Sequence, residues 1–447
     1  MDTKPISTTS SVESTLISII SLGTRISQSI GYFTLSVTTN SYDGQKKITF
    51  SWLSFPIFCS VMLLSIQTYL VIHWSHFGDE LVSMTGLTSP TEVLAFNLSG
   101  FLVGAQIFFK RLMYLFNSKG MMTFWSDFVS DLTQISCSDE KGSFLLSTEP
   151  WAKHRSMFIK VKTTLTCDII SSLILITVQT VQLLVTFYLS YVEDSNTNGP
   201  FVGLHDKIIG IGGLVLWNVL GSLNVFQSVW VTYPIQLFNA YLEIIQAELS
   251  ECYRCNQEPL VADDLFTILK KSGEKGSQKM IKPYILDENK LHLCIQNYHR
   301  TVEMLRKYSS RSVQRISSEI GYNSLLILAY LFIGFTWAEN GEIGAALTRV
   351  IPLILCIKII FHLGTEAGQL ELNQKAIFRV LCRMQHRAMS EETKSMVFTM
   401  IQELSGDRLR VEPGSFFTLN RRLLTSILSS VMTFLVVLVQ FRDGERK

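Results

Sequence analysis

Leu423-Leu-Thr-Ser-Ile-Leu-Ser-Ser-Val-Met-Thr-Phe-Leu-Val-Val-Leu-Val-Gln-Phe441 is a run of 19 residues without a charge. Crossing ~30 Å of hydrocarbon takes about 20 predominantly apolar residues in a helix. A backbone in lipid must also satisfy its own N–H and C=O groups, which a helix does internally. The run therefore reads as a transmembrane helix, with a start some residues earlier, near Phe416. Along it Ser426, Ser429 or Ser430, Thr433, Val436 or Val437, and Gln440 recur every three or four positions. That spacing lays a polar stripe on one face of a helix otherwise made of Leu, Val, Ile and Phe.

Six other stretches meet the same criterion: residues 50–74, 93–109, 164–191, 208–238, 320–338 and 344–363. Seven spans follow, and the expected fold is all-α. Of the 447 residues, 47% are hydrophobic and 17% charged, where a soluble domain carries about 25% charged residues. Trp74, Tyr191 and Trp337 close spans, as suits amphipathic rings at the headgroup level. The net charge of +2 gives no case for nucleic acid, which requires a basic face to displace counterions. The apolar stretch 16–22 is interrupted by Ser18 and Ser21. It reads as a short amphipathic helix rather than a secretory leader.

Basic residues set the direction. The four segments that alternate on one side of the spans, 1–49, 110–162, 254–315 and 375–422, hold 33 of the 39 Lys and Arg. The positive-inside rule makes that side cytoplasmic. The N-terminus is then inside and the C-terminus outside, although the basic tail 442–447 runs against the trend. This orientation is opposite to that of G-protein-coupled receptors, whose characteristic motifs on helices three and seven are lacking as well.

Inward segments are long and helical. Ahead of the fifth span, Leu291, Cys294, Ile295, Tyr298, Val302, Leu305 and Tyr308 form one stripe at spacings of three and four. Residues 369–389 and 391–404 read as further helices, and Gly406 with Pro413-Gly414 punctuates the approach to the last span. Such helices suit either a platform on which subunits assemble or packing within one subunit. The expected layout is an N-terminal segment 1–49, a bundle of spans one to six over 50–366, cytoplasmic anchor helices over 367–415, and the seventh helix with a short tail over 416–447.

Cys252-Tyr-Arg-Cys255 has the C-x-x-C spacing but lacks a second ligand pair at zinc-site distance. No phosphate-binding glycine loop, nucleophile elbow or paired intramembrane carboxylate is present, so neither an enzyme, a cofactor nor a metal is expected.

The segment from Gly414 to Phe441 closely resembles the end of insect gustatory receptors, whose signature is Thr-Tyr, five hydrophobic residues and Gln-Phe. Thr433, Gln440 and Phe441 match, residues 435–439 supply the hydrophobic five, and Phe434 stands where the family has Tyr. The resemblance implies a plasma-membrane cation channel of four subunits, a homotetramer or a hetero-oligomer with related receptors, whose last helices line one pore. On that reading Ser426, Ser430, Thr433, Val436, Val437, Gln440 and Phe441 form the pore and gate, with valine rings closing it by dewetting and polar rings contacting permeant cations. Small residues that pack helices in lipid would show the same spacing.

A ligand entering from outside would meet the outer halves of the spans. Gln179, Gln182, Thr186 and Ser190 form a polar stripe on span three, and Tyr330, Gly334 and Trp337 share a face of span five. Asn97, Trp217, Asn218 and Arg349 complete the candidate set. Amides with aromatic faces suit a small polar molecule, so a sugar is the first ligand considered and an apolar bitter compound the second. Arg349 inside a span needs a partner, and Glu339 and Glu342 are close in sequence. Two rival readings are an odorant-receptor-type subunit that needs a co-receptor and a transporter, although repeated halves and broken helices are not evident.

Overall fold

The structure is a computed structural model. It describes residues 36–39, 46–49, 54–72, 89–116, 149–198, 225–257, 288–384 and 389–445, with a few isolated positions. The helix expected at 16–22 lies outside these residues. Within the N-terminal segment, β1 (Ser36–Thr39) and β2 (Lys46–Thr49) pair antiparallel with Val37 opposite Ile48. β-branched residues favour this short ribbon, and the rest of the described chain is helical, in keeping with the all-α fold class.

Ten helices follow among the described residues: α1 (Phe55–Ile72), α2 (Pro90–Phe116), α3 (Glu149–Asn198), α4 (Val225–Gln257), α5 (Glu288–Arg311), α6 (Val313–Glu339), α7 (Ile343–Leu347), α8 (Val350–Arg383), α9 (Glu391–Gly406) and α10 (Arg421–Glu445). Among the described residues, five candidate membrane spans are long and apolar enough to cross a bilayer: Pro90–Met113, Ile159–Val185, Val313–Glu339, Ile343–Arg383 and Arg421–Glu445. A shorter apolar helix covers Phe55–Tyr69. Of the expected fourth span, residues 208–224 lie outside the described set and α4 begins at 225. At 1.5 Å per residue the 50 residues of α3 reach roughly 75 Å, well beyond the hydrocarbon.

α3, α4, α5, α8 and α9 share one core. The stripe read on α5 is buried at Leu291, Cys294, Ile295, Tyr298, Leu305 and Tyr308. It joins a cluster with Leu242 and Leu249 of α4, Leu370 and Ile377 of α8, and Val397 and Met400 of α9. Burial pushes the Cys294 thiol up to about 12, which keeps it an inert packing residue. Buried Gln374 accepts from the Leu409 backbone N–H at 2.7 Å and donates to the Asp407 carbonyl at 2.6 Å. Its amide thereby holds the connection from α9 towards α10.

Glu288 ties the first turn of α5 to that of α9. Its carboxylate accepts from the Ser390 backbone N–H at 2.8 Å, the Ser390 hydroxyl at 2.5 Å and the Thr393 hydroxyl at 2.6 Å. The Ser390 hydroxyl, then that of Thr393, hold its pKa down at about 2.

The start of the last helix is also corrected. Gly414 and Ser415 adopt φ of 59° and 60°, Pro413–Ser415 forms a single 3-10 turn, and α10 begins only at Arg421. Leu419 N–H donates to the Val411 carbonyl at 3.0 Å and the Asn420 side-chain oxygen accepts from Leu423 N–H at 3.0 Å, which caps the helix at Asn420, so Phe416 precedes the span. Immediately before α10, the Asn420 carbonyl lies against Gly364 of α8.

Candidate functional site

The C-terminus of α6 shapes the outer part of the bundle. Glu342 N–H donates to the Trp337 carbonyl at 2.8 Å and Gly341 N–H to the Ala338 carbonyl at 3.2 Å, with Gly341 at φ 84°. This is a Schellman closure with glycine at its left-handed position. It reverses the chain directly after Trp337 and carries α7 and Arg349 back across the face of α6.

Arg349 then lies over two rings. Its Cζ is 4.8 Å from the Trp337 ring centroid and 5.8 Å from that of Phe96 on α2. The two rings are 6.2 Å apart at 55°. A desolvated guanidinium over a Trp face gains about 2 kcal/mol or more. A Cβ placed on Gly334 would be 3.8 Å from the Arg349 Cβ, so the Arg349 stem fills the room between Tyr330 and Trp337 that the glycine provides. Trp337 Nε1, Arg349 Nε and Asn97 Oδ1 are buried and have no hydrogen-bond partner.

Asn97, Trp337 and Arg349 thus lie at the meeting of α2, α6 and the α7–α8 junction, with Tyr330 deeper on the same face of α6. Gln179 is buried on α3 beside Ile176, part of the large core cluster, and Gln182 is half-buried. No described contact joins either amide to Trp337 or Arg349. The side chains of Thr186 and Ser190, and Trp217 and Asn218 altogether, lie outside the described residues.

The expected neutralisation of Arg349 by Glu339 is corrected. Glu339 instead meets Arg442, the cation that runs against the charge trend, with Nη2 2.6 Å from Glu339 Oε2. Arg442 is 2% exposed. It also donates to Thr336 Oγ1 at 3.3 Å and to Asp443 Oδ1 at 2.8 Å. One turn further, Glu445 accepts from the Ser89 hydroxyl at 2.7 Å and the Thr91 N–H at 3.1 Å. Ser89 and Glu92 form a capping box at the α2 N-terminus, whose partial positive charge favours a carboxylate. The C-terminal end of α10 is therefore fastened to both helices that carry the aromatic pair. These attachments, over 100 residues apart in sequence, leave no local signal beyond a charge placed just past a span.

Between these ends, α10 buries Val431 and packs Leu435, Leu438 and Val439 against Phe96, Phe332, Ile333 and Trp337. Ser426, Ser430, Thr433, Val436, Val437, Gln440 and Phe441 are all exposed. At about 100° per residue, Ser426, Ser430, Thr433, Val437 and Gln440 centre opposite Val431. Only 6% of the most apolar window of α10 is buried, against 28–50% for the other four long spans.

Two ionic clusters within spans were not anticipated. Lys110 of α2 pairs with Glu319 of α6, both nearly fully buried. Asp168 of α3 lies 3.6 Å from Lys358 and 3.2 Å from His362 of α8, while Lys358 donates to Ser171 at 2.6 Å. Charges at such depth persist when paired with one another. A cavity of ≈ 960 Å³ opens far from the aromatic pair, between α5 and the segment after α9. Arg306, Arg408 and Arg410 line it together with Glu303, Glu403, Asp407 and Glu412, so charges of both signs are mixed along its wall. Among the described residues no group of three His, Cys, Asp or Glu side chains is placed to hold a metal ion.

Long apolar helices gathered by a helical bundle at one end, with one helix uncovered along its polar face, define a polytopic helical membrane protein. The 7tm Chemosensory receptor family matches residues 20–445, and the chain belongs to that family, which includes the insect gustatory and odorant receptors. It is 32% identical over 114 residues to Gustatory receptor family protein 3 of Caenorhabditis elegans, a match covering 25% of this chain and 24% of that relative. The aligned part thus spans about a quarter of the relative's length. The fold is similar to that of the insect olfactory receptor OR5 from Machilis hrabei, at a TM-score of 0.61 and 11% identity, covering 95% of this chain and 98% of that one. The complex of that receptor with eugenol matches at 0.63 and 12%, with the same coverage.

Proposed function

We propose that the protein is a gustatory receptor acting as a non-selective cation channel, opened directly by a small tastant. Four copies surround one pore in the plasma membrane, with their N-termini in the cytoplasm. The observation that carries this reading is the exposed face of α10: Ser426, Ser430, Thr433, Val437 and Gln440 turn away from their own chain. A polar stripe facing acyl chains would be unfavourable, whereas facing a water-filled conduit it offers ions substitute contacts and a valine ring that can dewet. The cytoplasmic core of α5, α8 and α9 keeps the inner end of each subunit rigid and serves as the platform for assembly.

Ligand binding between α2, α6 and the α7–α8 junction would reach the pore directly, because Leu435, Leu438 and Val439 of α10 touch the Phe96–Trp337 cluster. Expression of the chain alone in a cell without chemoreceptors, with currents recorded during a tastant screen, tests the proposal. Tastant-evoked cation currents are expected, with conductance altered by Gln440→Ala and leak raised by Val437→Ser. Unchanged currents in both variants would remove the pore assignment. Currents that require a second, co-expressed receptor would favour the odorant-receptor-type subunit instead.

A further inference from the structure

Arg349 packs against two aromatic rings on one side. Its Cζ lies 4.8 Å from the Trp337 ring centroid and 5.8 Å from that of Phe96, and the two centroids are only 6.2 Å apart. Stacking of this kind compensates the charge but satisfies no N–H, because the five donors of guanidinium point outward in its own plane. Of these, Nε is fully buried and has no acceptor among the described residues. Among the described residues no carboxylate lies within ion-pair distance of Arg349, and Glu339 is already engaged by Arg442. Beside it, Trp337, 2% exposed, presents a second donor without a partner at Nε1. Leaving such groups unmatched is costly, and the arrangement is one that an incoming acceptor completes.

We infer that Arg349 and Trp337 form a binding site for an oxyanion, a carboxylate or phosphate group, at the outer end of α6. A planar guanidinium fork matches such groups with two parallel hydrogen bonds, and the Trp337 indole N–H supplies a third donor at its side. The two flanking rings favour an acid with an apolar or flat body over a hydrated polyol. The amides on which a sugar site depends, Gln179 and Gln182, share no described contact with these donors. The ligand class this selects is a small organic acid, while the phosphate of a lipid headgroup offers the same chemistry from the bilayer. The inference rests on the ligand-gated reading for its consequence but not for its test, because binding is read without current.

The purified full chain in phosphatidylcholine nanodiscs is titrated with acetate, benzoate and inorganic phosphate, with benzamide as the neutral counterpart of benzoate. Tryptophan fluorescence and thermal unfolding report binding. Benzoate should raise Tm, benzamide should not, and Arg349→Gln should weaken benzoate at least tenfold. Arg349→Lys, which keeps the charge but loses the fork, should fall between. A Tm rise produced only by adding phosphatidylglycerol to the nanodisc, and abolished in Arg349→Gln, would make the headgroup the occupant of the same site. The inference is overturned if no oxyanion or anionic lipid distinguishes wild type from both variants, or if benzamide binds as benzoate does. Binding without current would preserve the site and count against the gating reading; tastant currents without oxyanion binding would do the reverse.

Discussion

Gly364→Ala and Gly368→Ala add the same methyl group to the same helix, one turn apart, and their outcomes should diverge. A Cβ on Gly364 would sit 2.9 Å from the Asn420 carbonyl oxygen and 3.3 Å from its carbon, whereas one on Gly368 meets nothing within 4 Å. Both substitutions gain about 1 kcal/mol of helix propensity. At Gly364 the opposing atoms are backbone and cannot rotate aside, at a separation well inside the about 3.5 Å where carbon contacts become favourable. Overpacking of this kind costs about 1–3 kcal/mol. Gly368→Ala should therefore be stabilised by up to ~1 kcal/mol, with Gly364→Ala less stable than it by about 1–3 kcal/mol, or about 5- to 150-fold in the unfolding equilibrium. Denaturant unfolding of the two variants in one lipid environment measures the difference directly. Because Asn420 immediately precedes α10, the displaced carbonyl should also raise leak current in Gly364→Ala alone. A difference under about 0.5 kcal/mol, the scatter expected of surface substitutions, would show that α8 and the start of α10 do not approach as closely as described.

Three other outcomes test the attachments. A double-mutant cycle of Arg442→Gln and Glu339→Gln should give a coupling of about 1–2 kcal/mol, the worth of a charge-assisted bond with one partner part-exposed; additive effects would remove the clamp on α10. Lys110→Met leaves Glu319 buried and unpaired and should cost about 3–5 kcal/mol, most of it recovered by adding Glu319→Leu; unfolding curves of the single and double variants decide. Glu288 has its pKa lowered from 4.5 to about 2 in the folded chain. Its contribution is therefore present above pH 4.5 and is lost as the pH falls through about 2. Hydrogen-exchange protection at the α9 N-terminus, taken relative to the intrinsic exchange rate at each pH, should fall across that window in wild type but not in Glu288→Gln. Parallel profiles would mean that the carboxylate carries no pH-dependent load.

The spans and the α5 stripe were legible because each follows from one chemical demand imposed on consecutive residues. Lipid requires about 20 apolar residues without interruption, and a core requires apolar side chains at spacings of three and four. Leu291, Ile295, Tyr298 and Leu305 obey that rule, and all are buried. What escaped the sequence depends on partners far along the chain. The proximity of Glu339 to Arg349 in sequence suggested a pair, yet the closure at Gly341 sends Arg349 over Trp337 and leaves Glu339 to a residue about a hundred positions later. The late start of α10 was hidden for another reason: residues 416–420 look able to form a helix, and only the bond from Leu419 N–H back to the Val411 carbonyl and the Asn420 cap place its start at Arg421. Of the candidate ligand residues, spacing could find Tyr330 and Trp337 on one face. It could not tell that α3 carries Gln179 into a different cluster.

The stripe of Ser426, Ser430, Thr433, Val437 and Gln440 shows where sequence and structure contribute different halves of one conclusion. Periodicity establishes that these side chains share a face, but helices also use Ser and Thr to pack closely in lipid, and spacing alone treats both uses alike. Packing within the subunit would require the stripe to meet the neighbouring helices. The chain instead turns the opposite face inward, seating Val431, Leu435 and Leu438 on α2, α6 and α8 and fixing the C-terminal end through Arg442 and Glu445. Rotation of α10 about its axis is blocked by those two attachments, since a turn of about 180° would carry both away from Glu339 and Ser89. Among the described residues the stripe thus has no partner to pack against. Hydroxyls and an amide in line make lipid an unfavourable neighbour, and this is the ground on which the proposal sets the stripe towards a conduit shared between copies.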